Sequence, residues 1–416
     1  MTGTKKCFDK AYGPHLDKIV LLITAVLALF LSSSCFASNN ENFSTYFDDE
    51  ATYGLINEVL ERESLKIDTS ELESFFGTLD DQTQKYIPKF DLKQTIESGK
   101  GPGLDISNLL SGVLNFVLKE IRINLKLLGQ IIIIAVISSV MTGFTGQSSK
   151  NSSADVAILI CRTAVIVIGI NGFRIMIQTA QSAVSDVASF MQAIMPVLTS
   201  TLIAMGSINT AAVVSPLILL WVTFVSSVIN NTVIPLFLVS FVLKMVNSIS
   251  DANSVSKLSG LFKTAALTVL GLLSTVFLGV LSMKSGFANA SDAVAAKATK
   301  FLSGALVPVV GKFFGDAIDL IATSSFVIKN VFGIFGICVL VVLILFPLLK
   351  ILCAVFIFRI ASAIIQPLGD EKIATCISDV ADALINICAS VSVVALMFFI
   401  TISIIIGFGS SFSVAG

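Results

Sequence analysis

The chain has 416 residues, of which 55% are hydrophobic and 13% charged, with a mean hydropathy of +0.90 and a net charge of −1. A soluble domain carries about 25% charged residues, so one water-soluble globule is excluded, and the near-neutral balance offers no basic field for nucleic acid. The charge is uneven: residues 39–100 hold 14 Asp and Glu against 6 Lys and Arg, whereas 101–416 hold 12 against 17. The acidic part and the apolar part read as different objects.

Residues 1–37 read as a secretory signal. Lys5, Lys6, Lys10 and Lys18 form a basic region, and Ile19 to Leu31 an apolar run of 13 residues. Cys35 and Ala37 then occupy the −3 and −1 positions of a cut before Ser38. An uncleaved anchor helix over 19–37 is the alternative; with either, the next segment is exported. His15, the only histidine, lies in this stretch. A processed chain therefore has no imidazole for acid–base catalysis or metal ligation. Of the seven cysteines, Cys161, Cys338, Cys353, Cys376 and Cys388 lie in or near apolar helices without a CxxC pair. They read as buried small apolar residues.

Residues 38–105 form an acidic extracytoplasmic region. Within it "SELESFF" pairs Ser70 with Glu73 as a capping box, ahead of Leu72, Phe75, Phe76 and Leu79 at helical spacing. The expectation is a small solvated helical domain whose scattered carboxylates face water. "ESGKGPGLD" at 97–105 is a turn-rich link.

Residues 106–416 read as a multi-pass membrane domain. An amphipathic helix from Ile106 to Lys126 carries Lys119, Arg122 and Lys126 to the membrane surface. Apolar segments follow near 127–144, 156–173, 187–205, 211–229, 232–249, 265–283, 331–349, 351–366 and 384–406. Runs near 20 residues are span length, so the fold class is all-α, a polytopic helical bundle of about 7–9 spans. Pro196, Pro216, Pro235 and Pro347 are expected to kink helices. In a nine-span count the basic 250–264 loop falls inside and the acidic 369–383 loop outside, as the positive-inside tendency asks, whereas the basic 284–300 loop falls outside, against it.

Charges inside apolar stretches cost at least about 2.5–3.5 kcal/mol at the bilayer centre and are functional candidates by default. Arg162 and Arg359 are the deep ones; Arg174 and Lys244 sit near expected helix ends and can snorkel. The segment near 286–325 has span length but not span chemistry. Lys312, Asp316 and Asp319 fall at i, i+4 and i+7, on one helical face. Pro308 suits a helix start, and Gly311 and Gly315 permit close helix approach. The reading is a short amphipathic or re-entrant helix over 308–322, with Lys329 and Asn330 at the foot of the next span. An intramembrane aspartyl protease needs Gly-x-Gly-Asp, but "FFGD" offers Phe313 and "PLGD" Pro367 at the first place. No Walker A, dinucleotide or zinc spacing occurs, so neither catalytic residues, cofactor nor metal is expected.

The stretch "KSGFANASDAVAAKATKFLSGALVPVVGKFFGDAIDLIATSSFVIKNVFGIFG" resembles the signature region of the stage III sporulation protein AE family. The matching marks are Pro308–Gly311, Asp316–Ala317 and Ile328–Asn330, with "SGKGPGLDISNLL", "LKEIRINLKLLGQ" and "IIQPLGDEKI" in the same order. The resemblance runs from about residue 90 to 406. It implies a multi-pass protein of the mother-cell membrane around the engulfed forespore, and the lack of catalytic motifs favours a non-enzymatic role. It further implies a transenvelope channel or secretion-like complex, with a secretion-type ATPase and ring-forming subunits as partners and homo-oligomerisation an open option. The alternative is a stand-alone small-solute or ion transporter, which broken helices and intramembrane charge also suit.

Overall fold

The computed structural model describes residues 70–79, 84, 87, 106–145, 152–249, 255–279, 310–368 and 371–407; side chains are described except at 106–110, 142–145, 152–155, 248–249 and 310–324. Among these residues every regular element is helical. In chain order they are α1 (Ser70–Thr78), α2 (Ile106–Thr145), α3 (Ser152–Ala204), α4 (Ile208–Val228), a π turn (Ile229–Val233) and α5 (Ile234–Ile249). Then come α6 (Val255–Gly279), α7 (Val310–Ile365), a 3-10 turn (Gln366–Leu368) and α8 (Glu371–Gly407). The expected signal or anchor over 1–37 and the start at Pro308 lie outside the described residues.

The all-α polytopic bundle holds. Six helical stretches among the described residues are long and apolar enough to cross a membrane. The nine expected segments fall on these six. Segments 156–173 and 187–205 are one helix, α3; 331–349 and 351–366 are one helix, α7; 211–229 and 232–249 are joined by the π turn. The physical reason is that a dip in hydropathy is not a stop signal. "RIMIQTAQSAVSD" at 174–186 is polar but holds no Gly or Pro, so nothing ends the helix there. Arg174 is thus mid-helix and exposed, not near an end. Pro196, Pro216 and Pro347 lie inside continuous helices. Pro235 has a visible consequence. It can give no N–H to Asn231, and the chain just before it widens, with Ile234 N–H bonding to Ile229 O across the π turn.

With α7 one continuous helix, the 3-10 turn Gln366–Leu368 lies at the same end of the bundle as the C-terminal part of α5, where Lys244 meets Asp379. The segment 371–383 is the start of α8, not a loop.

The bundle is built around α7. Its residues 327–344 are almost wholly buried, between α8, α3 and α2. Two glycines set the helix spacing. A Cβ on Gly336 would meet Ile194 Cδ1 of α3 at 2.5 Å, and one on Gly333 would collide with Ile406 of α8. The registers follow: α3 runs antiparallel to α7 (Gly172 against Phe358, Gly336 against Ile194) and parallel to α8 (Gly169 against Val380). Helix α2 runs parallel to α7, with Phe116 and Phe346 rings 5.1 Å apart and Ser139 Oγ–H donating to Leu368 O. Helix α3 ends at Gly206, whose φ of +82° suits glycine; Ser207 N–H returns to Leu202 O at 3.0 Å.

The helix expected at "SELESFF" begins at Ser70. It is not a solvated unit, however. Leu72 and Phe75 are buried, Phe75 lies 5.6 Å from Phe190 of α3, and Phe76 lies 6.0 Å from Phe335 of α7. Glu71 and Glu73 face outward. The apolar stripe that reads as a small domain's core is a docking face for the bundle.

Candidate functional site

Two polar features stand out against the apolar bundle. The first is a charged layer inside it, near the α7–α8 turn. Arg359 of α7 reaches across to α8, where Nη1 donates to Ser378 Oγ at 2.8 Å and Nη2 to Asp382 Oδ1 at 2.5 Å. Both side chains are mostly buried, with 16% and 20% of their surface exposed. One helical turn earlier on α8, Asp379 accepts from Lys244 Nζ of α5 at 2.8 Å. Three helices are therefore tied by alternating charge. Below the layer Asn386 Nδ2–H bonds Asp382 O at 2.9 Å, and above it Ser362 Oγ–H bonds Ala374 O at 2.8 Å. Arg359 is the intramembrane charge that the sequence singles out, now with partners. Lys244, expected to snorkel, is an ion-pair member. Asp379 and Asp382, read as loop residues, are helical. Arg162 is half-buried on α3 and is not among the residues joined in this layer.

The second feature is a seam between α3 and the α4–π helix. Thr199 bonds Ser215 at 3.0 Å, Gln192 bonds Thr223 at 3.1 Å, and Asn230 bonds Ser185 at 3.0 Å. Steps of seven along α3 (185, 192, 199) keep these groups on one side of the helix. Around that seam the outward face of α3 is mainly polar, interrupted by Ile175 and Pro196. Asn171, Arg174, Gln178, Ser182, Ser185, Asp186, Ser189, Gln192 and Ser200 are all exposed. The face beneath them, with Ala180, Val184, Val187, Met191, Ile194 and Leu198, is buried. Asp186 falls in the gap between the expected apolar segments 156–173 and 187–205, so hydropathy alone does not mark it as part of a helix face. Spacing of polar residues at 3 and 4 positions through that stretch was the available signal.

The expected face at 308–330 divides differently. Lys312, Asp316 and Asp319, with Gly311 and Gly315, lie on the first turns of α7, which continue without a break into the apolar stretch. Their side chains lie outside the description, as does Pro308. Lys329 is not the foot of a new helix. It lies within α7, is 0% exposed, and its ammonium sits 5.0 Å from the Phe326 ring centroid. Asn330, its neighbour, is half-buried. Lys329 and Arg359 are separated by about 45 Å along α7 and flank its most apolar part. The four buried cysteines, Cys338, Cys353, Cys376 and Cys388, are core residues as expected, and Cys161 is half-buried. Among the described residues no group of three His, Cys, Asp or Glu side chains is placed to hold a metal ion.

The family model described as stage III sporulation protein AE matches residues 90–409. The stage III sporulation protein AE of Bacillus subtilis (strain 168) is 28% identical over 354 residues, covering 85% of this chain and 89% of that protein. No solved structure matches. The family match takes in α2 through α8 together, charged layer and seam included, and the chain belongs to the stage III sporulation protein AE family.

Proposed function

We propose that this sporulation-family membrane protein is a non-enzymatic subunit of a transenvelope channel or secretion-like complex between mother cell and forespore. It acts from the mother-cell membrane after engulfment. The observation that carries this reading is the two-sidedness of the bundle. At one level α4 and α6 turn Leu220, Phe224, Leu267 and Leu272 outward, while α3 turns Ser182, Ser185, Asp186 and Ser189 outward. A single copy surrounded by lipid on all sides would gain nothing from the second face; a subunit that meets water or neighbours needs it. A secretion-type ATPase and ring-forming extracytoplasmic subunits are the proposed partners. Lys312, Asp316 and Asp319 are a second proposed contact region; Lys329, fully buried, and Asn330, half-buried, would support it from within α7.

A clean deletion tests the proposal. Sporulation is expected to stop after engulfment while vegetative growth stays normal, and a normal spore yield would sink it. Lys312→Ala and Asp316→Ala are expected to lower spore yield more than removing charges between residues 41 and 63. Wild-type yield in both would remove the 308–330 face from the proposal.

A further inference from the structure

The outward face of α3 crosses the same level as the most apolar parts of its neighbours. Ile194 packs at Gly336 of α7, and Phe358 packs at Gly172. Residues 182–200 are therefore level with 331–348 of α7, a stretch without a single charge. Helix α6 runs back along α4 and α5, with Ser259 Oγ–H bonded to Ser240 O at 2.7 Å and Phe277 stacked on Trp221 at 6.1 Å. Leu267 and Leu272 fall between those two contacts, at the level where Asn230 and Thr223 meet Ser185 and Gln192. Leu272 is 64% exposed. One level thus has an apolar outer surface on α6 and a polar one on α3, with α1 docked at Phe190 and Phe335 and its Glu71 and Glu73 exposed.

From Ser182 to Ser200 the polar face rises about 27 Å, close to the hydrocarbon thickness of about 30 Å. With Asn171, Arg174 and Gln178 it extends to about 44 Å, longer than that thickness. It is a full-length stripe, not a polar spot, and Asp186 sits within it as an exposed carboxylate. Lipid cannot solvate such a stripe. A water column can. One outward face is only one wall, so the column needs further walls.

We infer that the outward face of α3, from Asn171 to Ser200, is the wall of a water-filled passage across the membrane, closed by further copies of this chain around a common axis. Identical copies supply the missing walls with the same water-binding hydroxyl, amide and carboxylate groups. Closed rotational symmetry is the ordinary way for one chain to surround an axis. The Asp186 carboxylates then form a ring that favours hydrated cations over anions. This deepens the channel-complex reading and rests on it for the physiological setting, not for the chemistry of the face.

The test uses the full chain with Cys161→Ser as background, since the other described cysteines are buried. Single cysteines at Ser182, Ser185 and Ser189, and at Leu267 and Leu272, are treated in membranes from sporulating cells. Two probes are used: a membrane-impermeant thiol reagent and a lipid-soluble carbene photolabel. The stripe is expected to take the aqueous reagent several-fold above background, and the α6 positions only the lipid probe. Purified protein in nanodiscs is expected to hold more than one copy per particle. In planar bilayers Asp186→Asn should lower the preference for potassium over chloride, and Asp186→Lys should invert it. An unlabelled stripe overturns the inference. So does aqueous labelling of both faces, which would place this level outside the bilayer. A labelled stripe in single-copy particles overturns closure by copies of this chain and leaves a different protein against the face. A labelled stripe in a protein dispensable for sporulation would remove the channel-complex reading alone. An unlabelled stripe in an indispensable protein would remove the passage wall alone.

Discussion

Two parts of one helix teach most about this molecule. From Val156 to Val167 the exposed residues of α3 are Val156, Leu159, Ile160, Thr163 and Val167; from Asn171 to Ser200 they are mainly Asn, Gln, Ser and Asp. The buried face is apolar in both parts. The core therefore asks the same thing of α3 throughout, and the difference is imposed from outside. The first part has an apolar outer surface, as does α2, where Ile133 is 62% exposed and Val136, Ile137 and Val140 are exposed beside it. The second part has the outer surface of a helix that meets something polar. Burial explains the inner face of a membrane helix, but only the medium explains the outer one.

The largest expected effect bears on the charged layer that holds α5, α7 and α8 at the end where α3 changes character. Asp382→Ala leaves the Arg359 guanidinium in a mostly buried place without its carboxylate, which costs on the order of 3–5 kcal/mol. The expected result is a large fall in the melting temperature of the detergent-solubilised protein. The swap of Arg359→Asp with Asp382→Arg should recover part of it. A melt unchanged by Asp382→Ala would show that this pair does not hold the helices.

The direct way to break the comparison is to place one charge on each face at one level. Leu272→Asp on α6 should cost about 2.5–3.5 kcal/mol of insertion or stability, whereas Ser189→Asp on α3 should cost little. Membrane-inserted yield and thermal stability in nanodiscs would report both. Equal costs would mean that the two faces meet the same medium, and the contrast would be void.

The smallest expected effect sharpens the seam. Asn230→Ala removes the bond to Ser185, and an interhelical hydrogen bond in a membrane protein averages about 0.6 kcal/mol. The melting shift should be slight and similar for Gln192→Ala. A loss several times larger would mark the π turn at Ile229–Val233 as a structural keystone, beyond the hydrogen bond that Asn230 makes.

Much of this was legible from residues alone. Composition demanded a helical membrane bundle, the capping motif at Ser70 marked the start of α1, and Arg359 declared itself by being a charge in an apolar run. Other features were misread for identifiable reasons. The dip in hydropathy at 174–186 looked like a loop because a one-dimensional average cannot tell a polar helical face from a turn. Lys329 looked like a boundary because a lysine so placed usually ends a span, yet packing buries it completely. The acidic segment looked solvated because Glu71 and Glu73 are visible in sequence while the destination of Phe75 and Phe76 is not.

The sequence by itself determined that this chain lives in a membrane, that it is helical, and which family pattern it carries, because these depend on composition, periodicity and local order of residues. Only the tertiary structure decided that the nine apolar runs fall on six long helical stretches among the described residues, and that Arg359 meets Asp382 and Lys244 meets Asp379. It alone decided that α3 turns a polar face outward beside an apolar α6. Such facts depend on which helices touch and at what register, and residues 359 and 382, or 185 and 230, become neighbours only when the bundle closes around α7.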